Sequence, residues 1–553
     1  MYKKIIENEK YFLLTLVLML ILVNLYAWFP NFQIDFLNDD YQIIGIHQPK
    51  SFIDCFSPFF STDILGSYWR PAVNTFHRLT IYFFGFNPGI FHFTNWLLYL
   101  GVCILTGIFF YRAGLKKYAI FGAILFSVLP AHEIVVGWLS GRNETFMLIF
   151  ILLNTILLLK ENLNIKQEII YYFCFLIAIL TKESAYIAAL MPILFYIFHF
   201  GFKFEKDRFY KFLRLSSVSL GIIAITIIYR LTIIGSNPAE SSHFADLSVL
   251  NIIRNFFVAF PLSFLTADNT ELFVNLFQDK FFLSILGLIA VALFLGLFKY
   301  VQYFFQIKDY KKVVFGLLWF GLYIIPPLPN MMRWYVLTAS IGLMFSILSF
   351  VDEYKKNFEI GRIGKISLIS VFSIVILIFA NINRVKMQDW VDTSIKTQSA
   401  IKSIAKLDLT GIKTLYLWAA PDKINRINSM KLGIEHSINI INNSKFNVIN
   451  PLKAEINFNQ PISCFVSDSM LTFKIIQSRF LPFKGKSMYL IKDEKIELED
   501  NAYKMTIETT NKEGKIESIA KIRNLKSDSS TAHIFYDGDI FRKINLSSFS
   551  LHH

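Results

Sequence analysis

The sequence predicts a polytopic α-helical membrane protein with about eleven transmembrane helices, followed by a C-terminal extracytoplasmic domain that is α/β or β-rich. Of the 553 residues, 54% are hydrophobic and only 17% are charged, whereas soluble domains carry about 25% charged residues. Several stretches run for roughly twenty residues with almost no charge, which is the length that crosses a bilayer core. Beyond about Trp390 the chain becomes polar, with frequent Asn, Lys and Ser.

The transmembrane segments follow from hydropathy and from the charges in the loops. The first is too long for a signal-peptide core and no small-residue cleavage site follows it, so we expect it to stay as an anchor. The apolar segment 247–266 is assigned to an outer-face interfacial or re-entrant helix, because counting it as a crossing would put the basic stretch 299–312 outside. The predicted crossings lie near residues 11–29, 90–111, 118–137, 143–160, 168–181, 185–201, 212–234, 281–299, 313–329, 334–351 and 366–383.

The net charge of +14 is explained by membrane topology rather than by a nucleic-acid partner. Basic clusters recur in every second loop, as the positive-inside rule requires when the N-terminus is cytoplasmic. We therefore expect an inner (cell) membrane protein whose C-terminal domain is periplasmic or extracellular. The clusters lie at residues 3–10, 112–117, 203–214, 299–312 and 355–365.

Two domains are predicted. Residues 1–390 form the membrane domain, with a long first outer loop at about 30–89, and residues 391–553 form a soluble domain of ordinary single-domain size. We recognise no catalytic motif in the soluble domain. Within it, residues 392–407 are predicted to be a helix, and residues 413–418, 503–508 and 515–519 are predicted to be strands.

Charged residues in the outer loops are few, and their positions suggest a site. Asp39 and Asp40 follow the first crossing by only a few residues. Arg70, Arg142, Lys182 and Arg333 lie in short polar turns at helix ends, on the side of the membrane where cations are disfavoured. Snorkelling or a local ion pair accounts for any one of these cations, and a helix cap or a hydrated loop accounts for the acids. Four cations on the same side of the membrane as an Asp pair favour a shared anionic ligand.

An enzyme that transfers a sugar from a lipid-phosphate sugar donor would use these residue types. An Asp can accept the proton of the attacking hydroxyl, and Arg or Lys can stabilise the departing lipid phosphate. A single displacement at the anomeric carbon inverts its configuration. We therefore predict Asp39 or Asp40 as the base, with Arg70, Arg142, Lys182 and Arg333 on the phosphate. The donor would be a polyprenyl-phosphate sugar, and the acceptor a protein, a lipid or a cell-envelope glycan.

An ordered set of short motifs spans about residues 35–390. The set is Asn38-Asp39-Asp40-Tyr41, Tyr68-Trp69-Arg70-Pro71, Phe91-His92-Phe93-Thr94-Asn95, Pro130-Ala131-His132, Trp138-Leu139-Ser140-Gly141-Arg142, Thr181-Lys182-Glu183, Arg333-Trp334-Tyr335 and Asp389-Trp390. It resembles the motifs of the GT-C superfamily of membrane glycosyltransferases, and among them the transmembrane O-mannosyltransferases with tetratricopeptide repeats and their bacterial relatives. The Tyr-Arg-Pro element carries one inserted residue here, and the repeats are absent.

The resemblance implies that Asp39, the first acid of the pair, is the base. It also implies supporting roles for His132 and Tyr335, and it fixes neither the sugar nor the acceptor. From the residues alone, His132 is equally a packing histidine at a helix end. Glu144 and Glu183 are expected to orient their sequence neighbours Arg142 and Lys182.

Other interpretations stay open at this point. A transporter or flippase for a lipid-linked or anionic solute is the main alternative, and a non-catalytic assembly subunit is another. No cofactor is predicted, and a divalent ion beside the Asp pair has no further ligand cluster in the sequence to support it. Cys55 and Cys464 are both predicted outside, where a disulfide is permitted, but two free thiols explain them equally well.

Overall fold

A computed structural model gives the fold, and with it the part of the chain that is described below. That part comprises residues 7–46, 48–61, 69–234, 248–265, 310–357, 362–425, 427–430, 433–457, 460–467, 470–482, 494–500, 502–512, 515–525 and 527–546. One predicted crossing, 281–299, and Tyr68 of the motif set lie outside these residues.

The chain divides into two compact units. The first comprises Met1–Asn31, Pro49–Gly85 and Ile90–Met387, and the second comprises Phe32–Gln48, Phe86–Gly89 and Gln388–His553. The segment that carries Asp39 and Asp40 therefore groups with the C-terminal residues. The other predicted site residues belong to the first unit.

The first unit is helical, and local signals begin several of its helices. The Asn8 side chain accepts the Lys10 amide at the start of helix Glu9–Trp28, and Asn164 and Gln167 form a capping box at the start of helix Ile165–Thr181. Numbered along the chain, its helices are α1 (Glu9–Trp28), α3 (Pro71–Phe84), α4 (Pro88–Arg112), α5 (Ala119–Ser127), α6 (Glu133–Gly137), α7 (Arg142–Leu158), α8 (Ile165–Thr181), α9 (Met191–Phe200), α10 (Lys206–Tyr229), α11 (Val249–Leu262), α12 (Tyr310–Ile324), α13 (Val336–Asn357) and most of α14 (Arg362–Ser403).

Long apolar helices dominate this unit. Within the described residues, seven helices are long and apolar enough to cross a membrane, or eight if the bent pair Ala119–Ser127 and Pro130–Gly137, with its 51° bend, is one span. These eight correspond to eight of the predicted crossings. The predicted crossings at 168–181 and 313–329 form helices α8 and α12, whose 17 and 15 residues are fewer than the 18 residues of the shortest of those seven spans. The helical, membrane-type architecture is confirmed, and the total of eleven stays a prediction.

Helix α11 occupies the apolar segment that was predicted not to cross. Its 14 residues span about 21 Å, which is less than the roughly 30 Å of a bilayer core. Asn251 and Asn255 donate to the carbonyls of Pro329 (3.3 Å) and Leu328 (2.7 Å), while Ile253 and Phe257 are exposed. The polar face of α11 thus packs on protein and its apolar face points outwards, as in a helix that contacts lipid.

The second unit contains α2 (Asp40–Ile46), the end of α14, α15 (Ile434–Ile441) and two sheets. In the six-stranded sheet β11-β10-β1-β3-β6, strand β1 runs parallel to β3 and β10, and β2 pairs with β1; the five-stranded sheet β4-β5-β9-β8-β7 is antiparallel. The strands are β1 (Thr414–Ile424), β2 (Ile427–Asn428), β3 (Asn447–Ile456), β4 (Ile462–Ser467), β5 (Met470–Ile476), β6 (Arg479–Pro482), β7 (Glu494–Asp500), β8 (Tyr503–Lys512), β9 (Lys515–Arg523), β10 (Thr531–Tyr536) and β11 (Phe541–Lys543).

The β-rich prediction is confirmed, and the three predicted strands are parts of β1, β8 and β9. Alternation fixes their register, because buried Met505 and Ile507 of β8 face buried Ile522 and Ala520 of β9. The predicted helix at 392–407 is also present, but it continues the last apolar helix as one element, α14. Residues 365–403 contain neither Gly nor Pro, so nothing in the local sequence interrupts the helix.

Candidate functional site

Asp39 and Asp40 have different environments in the second unit. Asp40 begins α2, is only 1% exposed, and its Oδ2 accepts the Leu37 amide at 2.9 Å. Asp39 is half-buried, and its Oδ1 accepts Nδ2 of Asn38 at 2.9 Å. Asp40 therefore stabilises the turn that enters α2, and Asp39 is the acid with the more accessible carboxylate.

The residues around the Asp pair are held by helix α14 and the segment after β2. Nε2 of Gln398 donates to the Phe36 carbonyl at 3.1 Å and also bonds the Tyr41 hydroxyl. The Asn38 amide donates to the Ser429 carbonyl at 2.8 Å. Burial raises the pKa of the nearby Asp35 carboxyl, although the Phe36 amide and Lys402 oppose the shift. The Asp pair thus lies on a segment that is hydrogen-bonded to the Ser429 backbone and to the Gln398 side chain of this unit.

In the first unit, three of the four predicted cations each face a glutamate. Arg70 donates through Nε (3.0 Å) and Nη2 (2.8 Å) to Oε2 of Glu183. Lys182 pairs with Glu144, and both side chains are buried. Arg333 lies 2.8 Å from Oε1 of Glu133. These three cations lie at helix ends. Arg70 is at the N-cap position of α3, Lys182 directly follows α8, and Arg333 begins a 3₁₀ turn before α13.

The glutamates do not pair with their sequence neighbours. Arg142 and Glu144 are two positions apart on α7, and side chains with this spacing point to different faces of a helix. Lys182 and Glu183 are adjacent, but Lys182 has an extended backbone between α8 and the 3₁₀ helix that begins at Glu183, so the two residues are not on one helix. Glu144 therefore reaches Lys182 on another helix, and Glu183 reaches Arg70. The expectation that Glu144 orients Arg142 and Glu183 orients Lys182 is not met by these contacts.

Arg142 is fully buried at the start of α7. Its Nε donates to Oδ1 of Asn95 at 3.0 Å, and its Nη2 donates to Oγ1 of Thr94 at 2.7 Å and to the Phe91 carbonyl at 3.1 Å. The guanidinium also lies 5.0 Å from the centre of the Phe76 ring. These contacts tie α7 to α4, and the predicted phosphate role of Arg142 stays a prediction.

The two supporting residues taken from the resemblance have separate surroundings. The Tyr335 ring centre lies 4.5 Å from Nζ of Lys182, a cation–π contact. His132 is fully buried, with its Nδ1 2.8 Å from the Tyr99 hydroxyl and its Nε2 3.3 Å from Oγ of Ser340. Tyr335 therefore contacts one of the predicted cations, Lys182, whereas His132 packs between α4 and α13.

Sequence reasoning did not single out Arg230. It is 2% exposed, at the start of a short π-helix (Arg230–Ile234) that ends α10. Its Nη1 lies 3.4 Å from Oε1 of Glu183, so Glu183 is shared by Arg70 and Arg230. The signal was available, because an arginine inside an apolar segment is a functional candidate by default. Single-turn π-helices also often occur at functional sites.

The first unit also contains an apolar groove of about 470 Å³. Phe56 and Phe59 of a 3₁₀ helix (Ile53–Phe59) and its C-cap residue Phe60 line one part of it, and Leu176 and Leu180 of α8 line another. Its remaining wall includes Trp69 and Tyr229, whose ring centres lie 5.4 Å apart.

Trp69 directly precedes Arg70, and Tyr229 directly precedes Arg230. The two arginines thus follow lining residues of the groove in sequence, and both pair with Glu183. An apolar lining suits an apolar chain, and two guanidinium groups suit an anionic group.

Possible metal ligands and cysteines also lie in the described residues. Among the described residues, no group of three or more His, Cys, Asp or Glu side chains is arranged to hold a metal ion. All four cysteines, Cys55, Cys103, Cys174 and Cys464, are free thiols in the structure.

Comparison with known proteins gives no relative to argue from: no protein-family model matches this chain, and no curated protein matches it.

Proposed function

We propose that this chain is an integral-membrane glycosyltransferase of the GT-C type. It moves a sugar from a polyprenyl-phosphate donor to a protein, lipid or cell-envelope glycan acceptor on the outer face of the inner (cell) membrane. In this proposal the N-terminus is cytoplasmic and the C-terminal domain is periplasmic or extracellular. The observation that carries the proposal is the pairing of both Arg70 and Arg230 with Glu183, where each arginine directly follows, in sequence, an aromatic residue that lines the apolar groove.

The groove suits the polyprenyl chain of the donor. Its volume of about 470 Å³ falls within the roughly 300–1,000 Å³ of ligand pockets. Within a bilayer the hydrophobic effect does not drive such contacts, so a polyprenyl chain would be held by van der Waals packing against the aromatic and leucine side chains.

The arginines suit the donor phosphate. A guanidinium presents a planar fork of donors that matches phosphate oxygens, and it stays charged at any physiological pH. Glu183 holds both side chains in place and limits the repulsion between them. A phosphate that enters between the arginines takes over this role, so the pair is preorganised for an anion.

Asp39 acts as the base in the transfer step. The acceptor hydroxyl gives its proton to the Asp39 carboxylate while its oxygen bonds to the anomeric carbon. The bond between that carbon and the phosphate oxygen breaks, and the lipid phosphate leaves with the electron pair. Because attack and departure occur on opposite sides of the carbon, the configuration inverts. Half-buried Asp39 suits this role better than Asp40, whose carboxylate is buried in the turn.

The competing candidates are a transporter or flippase and a non-catalytic assembly subunit. A transporter is expected to place ionisable groups near the bilayer midplane, often on broken helices. Arg70, Lys182 and Arg333 lie at helix ends instead, which favours chemistry at the membrane surface.

A donor panel tests the reaction. Membranes containing wild type, Asp39→Asn or Asp392→Asn are given radiolabelled polyprenyl-phosphate sugars, and Asp392 serves as an exposed control carboxylate. We expect transfer from one donor by wild type and by the control, and a loss of about 10²-fold or more in Asp39→Asn. A well-folded wild type that transfers no sugar from any donor contradicts the proposal. Uptake or flipping of the lipid without transfer supports the transporter instead.

A further inference from the structure

The backbone of residues 34–46, here called the Asp39 segment, is held by the part of the chain between β2 and α15. The Asn38 amide donates to the Ser429 carbonyl at 2.8 Å. Ser429 is itself held on two sides, since its amide donates to the Asp422 carbonyl of β1 at 3.0 Å and its hydroxyl lies 2.6 Å from that of Thr397 on α14. The position of the Ser429 carbonyl is therefore set by both the sheet and the helix of the second unit.

Gly433 is the second point of attachment. It caps α15 in the left-handed region, with φ +67°. A Cβ at this position would lie 2.8 Å from the Asn38 carbonyl oxygen and 3.2 Å from the Gln42 amide nitrogen. Both neighbours are backbone atoms, which cannot rotate away from an added methyl group. Only glycine allows α15 to approach the Asp39 segment this closely.

Asp39 lies between Asn38, which bonds Ser429, and Gln42, which approaches Gly433. Asn38 has φ +53°, a left-handed conformation that Asn tolerates better than most residues. The Asp39 carbonyl accepts the Ile43 amide at 2.9 Å and so starts α2. The backbone is thus constrained on both sides of Asp39, while its carboxylate stays half-buried. A rigid backbone beneath an accessible acid is the arrangement that a positioned functional group needs.

We propose that Ser429 and Gly433 are positioning residues for Asp39, so that the C-terminal domain is part of the catalytic apparatus. The catalytic meaning of this assignment rests on the proposed function, whereas the attachment of the segment does not. The domain then has a role that its own sequence does not indicate. It places the base, and it need not bind a substrate itself.

Two glycines give a matched comparison in the full-length protein. Gly433→Ala adds the close contact with the Asp39 segment, and Gly411→Ala is the control. Gly411 also has positive φ (+79°), but the space around its Cβ position is open. Both variants carry backbone strain, and only Gly433→Ala disturbs residues 34–46.

Hydrogen exchange measures the attachment without any assay of activity. We expect amides in peptides covering residues 34–46 to exchange about tenfold faster or more in Gly433→Ala and at the wild-type rate in Gly411→Ala. Equal rates in Gly433→Ala and wild type, or equal acceleration in both variants, would overturn the proposal. If Gly433→Ala does not fold, Thr397→Val removes the hydroxyl that bonds Ser429. It is then expected to accelerate exchange in the same peptides about twofold or more, and an unchanged rate overturns the proposal.

Steady-state kinetics separate positioning from general stability. With the donor found for wild type, we expect Gly433→Ala to lower kcat about tenfold or more while KM for the donor is unchanged. Faster exchange with an unchanged kcat refutes the catalytic part of the assignment. If wild type transfers no sugar, the proposed function fails, and hydrogen exchange still decides whether Ser429 and Gly433 hold the segment.

Discussion

Lys182 pairs with Glu144, 38 residues earlier in the chain, and not with the adjacent Glu183. Both side chains of the pair are buried, and the Tyr335 ring covers the ammonium group at 4.5 Å. Breaking a buried pair leaves one charge without its partner, which costs more than the pair itself contributes. Stability and function therefore have to be separated before any role is given to Lys182.

Lys182→Met is expected to lower the free energy of unfolding by about 3–5 kcal/mol, because Glu144 stays buried without its partner. The double variant Lys182→Met/Glu144→Leu removes both charges and should recover most of that loss. Thermal unfolding in detergent measures both effects. If the double variant regains stability but transfers no sugar, Lys182 acts on the donor phosphate. Recovery of activity together with stability would show that the pair is structural.

Arg230→Lys is expected to weaken donor binding. Lysine keeps the charge but loses the planar fork, and a hydrogen bond to a charged group is worth about 1.5–3 kcal/mol, so KM for the donor should rise about 10–100-fold. Arg112→Lys is the control, since Arg112 is an exposed arginine that pairs with Glu9. An unchanged KM in Arg230→Lys, with normal folding, would remove Arg230 from the donor site.

Local sequence accounts for the helices and for the positions of the cations at their ends. Uncharged runs of about twenty residues have few alternatives to a membrane-type helix. The polar turns around Arg70 and Lys182 predict where helices end. Alternation in residues 503–508 predicts β8 and its buried face.

Long-range packing accounts for what the sequence did not reveal. Glu183 meets Arg70 across 113 residues, and no periodicity within one helix indicates such a pairing. Arg142 resembles the other cations in sequence, yet it is fully buried and bonded to α4. The bond from Asn38 to Ser429 connects backbone atoms. Such bonds do not depend on side-chain type, so hydropathy and motifs carry no trace of them.

Leu176→Trp is expected to fill part of the groove. A larger side chain there leaves less room for a polyprenyl chain, so KM should rise most for donors with long chains and least for short-chain analogues. Phe173→Trp provides the control, because Phe173 lies on the same helix, α8, and is exposed. The interpretation of the groove is wrong if long and short donors respond equally.

His533 is expected to make the C-terminal domain sensitive to acid. It is buried in β10, where its Nδ1 accepts Nε1–H of Trp418 at 3.2 Å and its ring stacks on Tyr416 with centres 4.9 Å apart. Burial lowers the pKa of His533 to about 4, from about 6.5 in an unfolded chain.

The unfolded chain thus binds a proton between these two pH values that the folded domain does not bind, so stability falls as the pH drops. The stabilising contribution is complete above about pH 6.5 and is lost by about pH 4, with a total change of about 3 kcal/mol. Asp35, whose pKa is raised by burial, changes stability in the opposite direction, so the comparison must be made against a variant. Unfolding followed by tryptophan fluorescence from pH 7 to pH 4 should show a steeper loss for wild type than for His533→Phe. Parallel curves would mean that His533 becomes protonated without unfolding the domain.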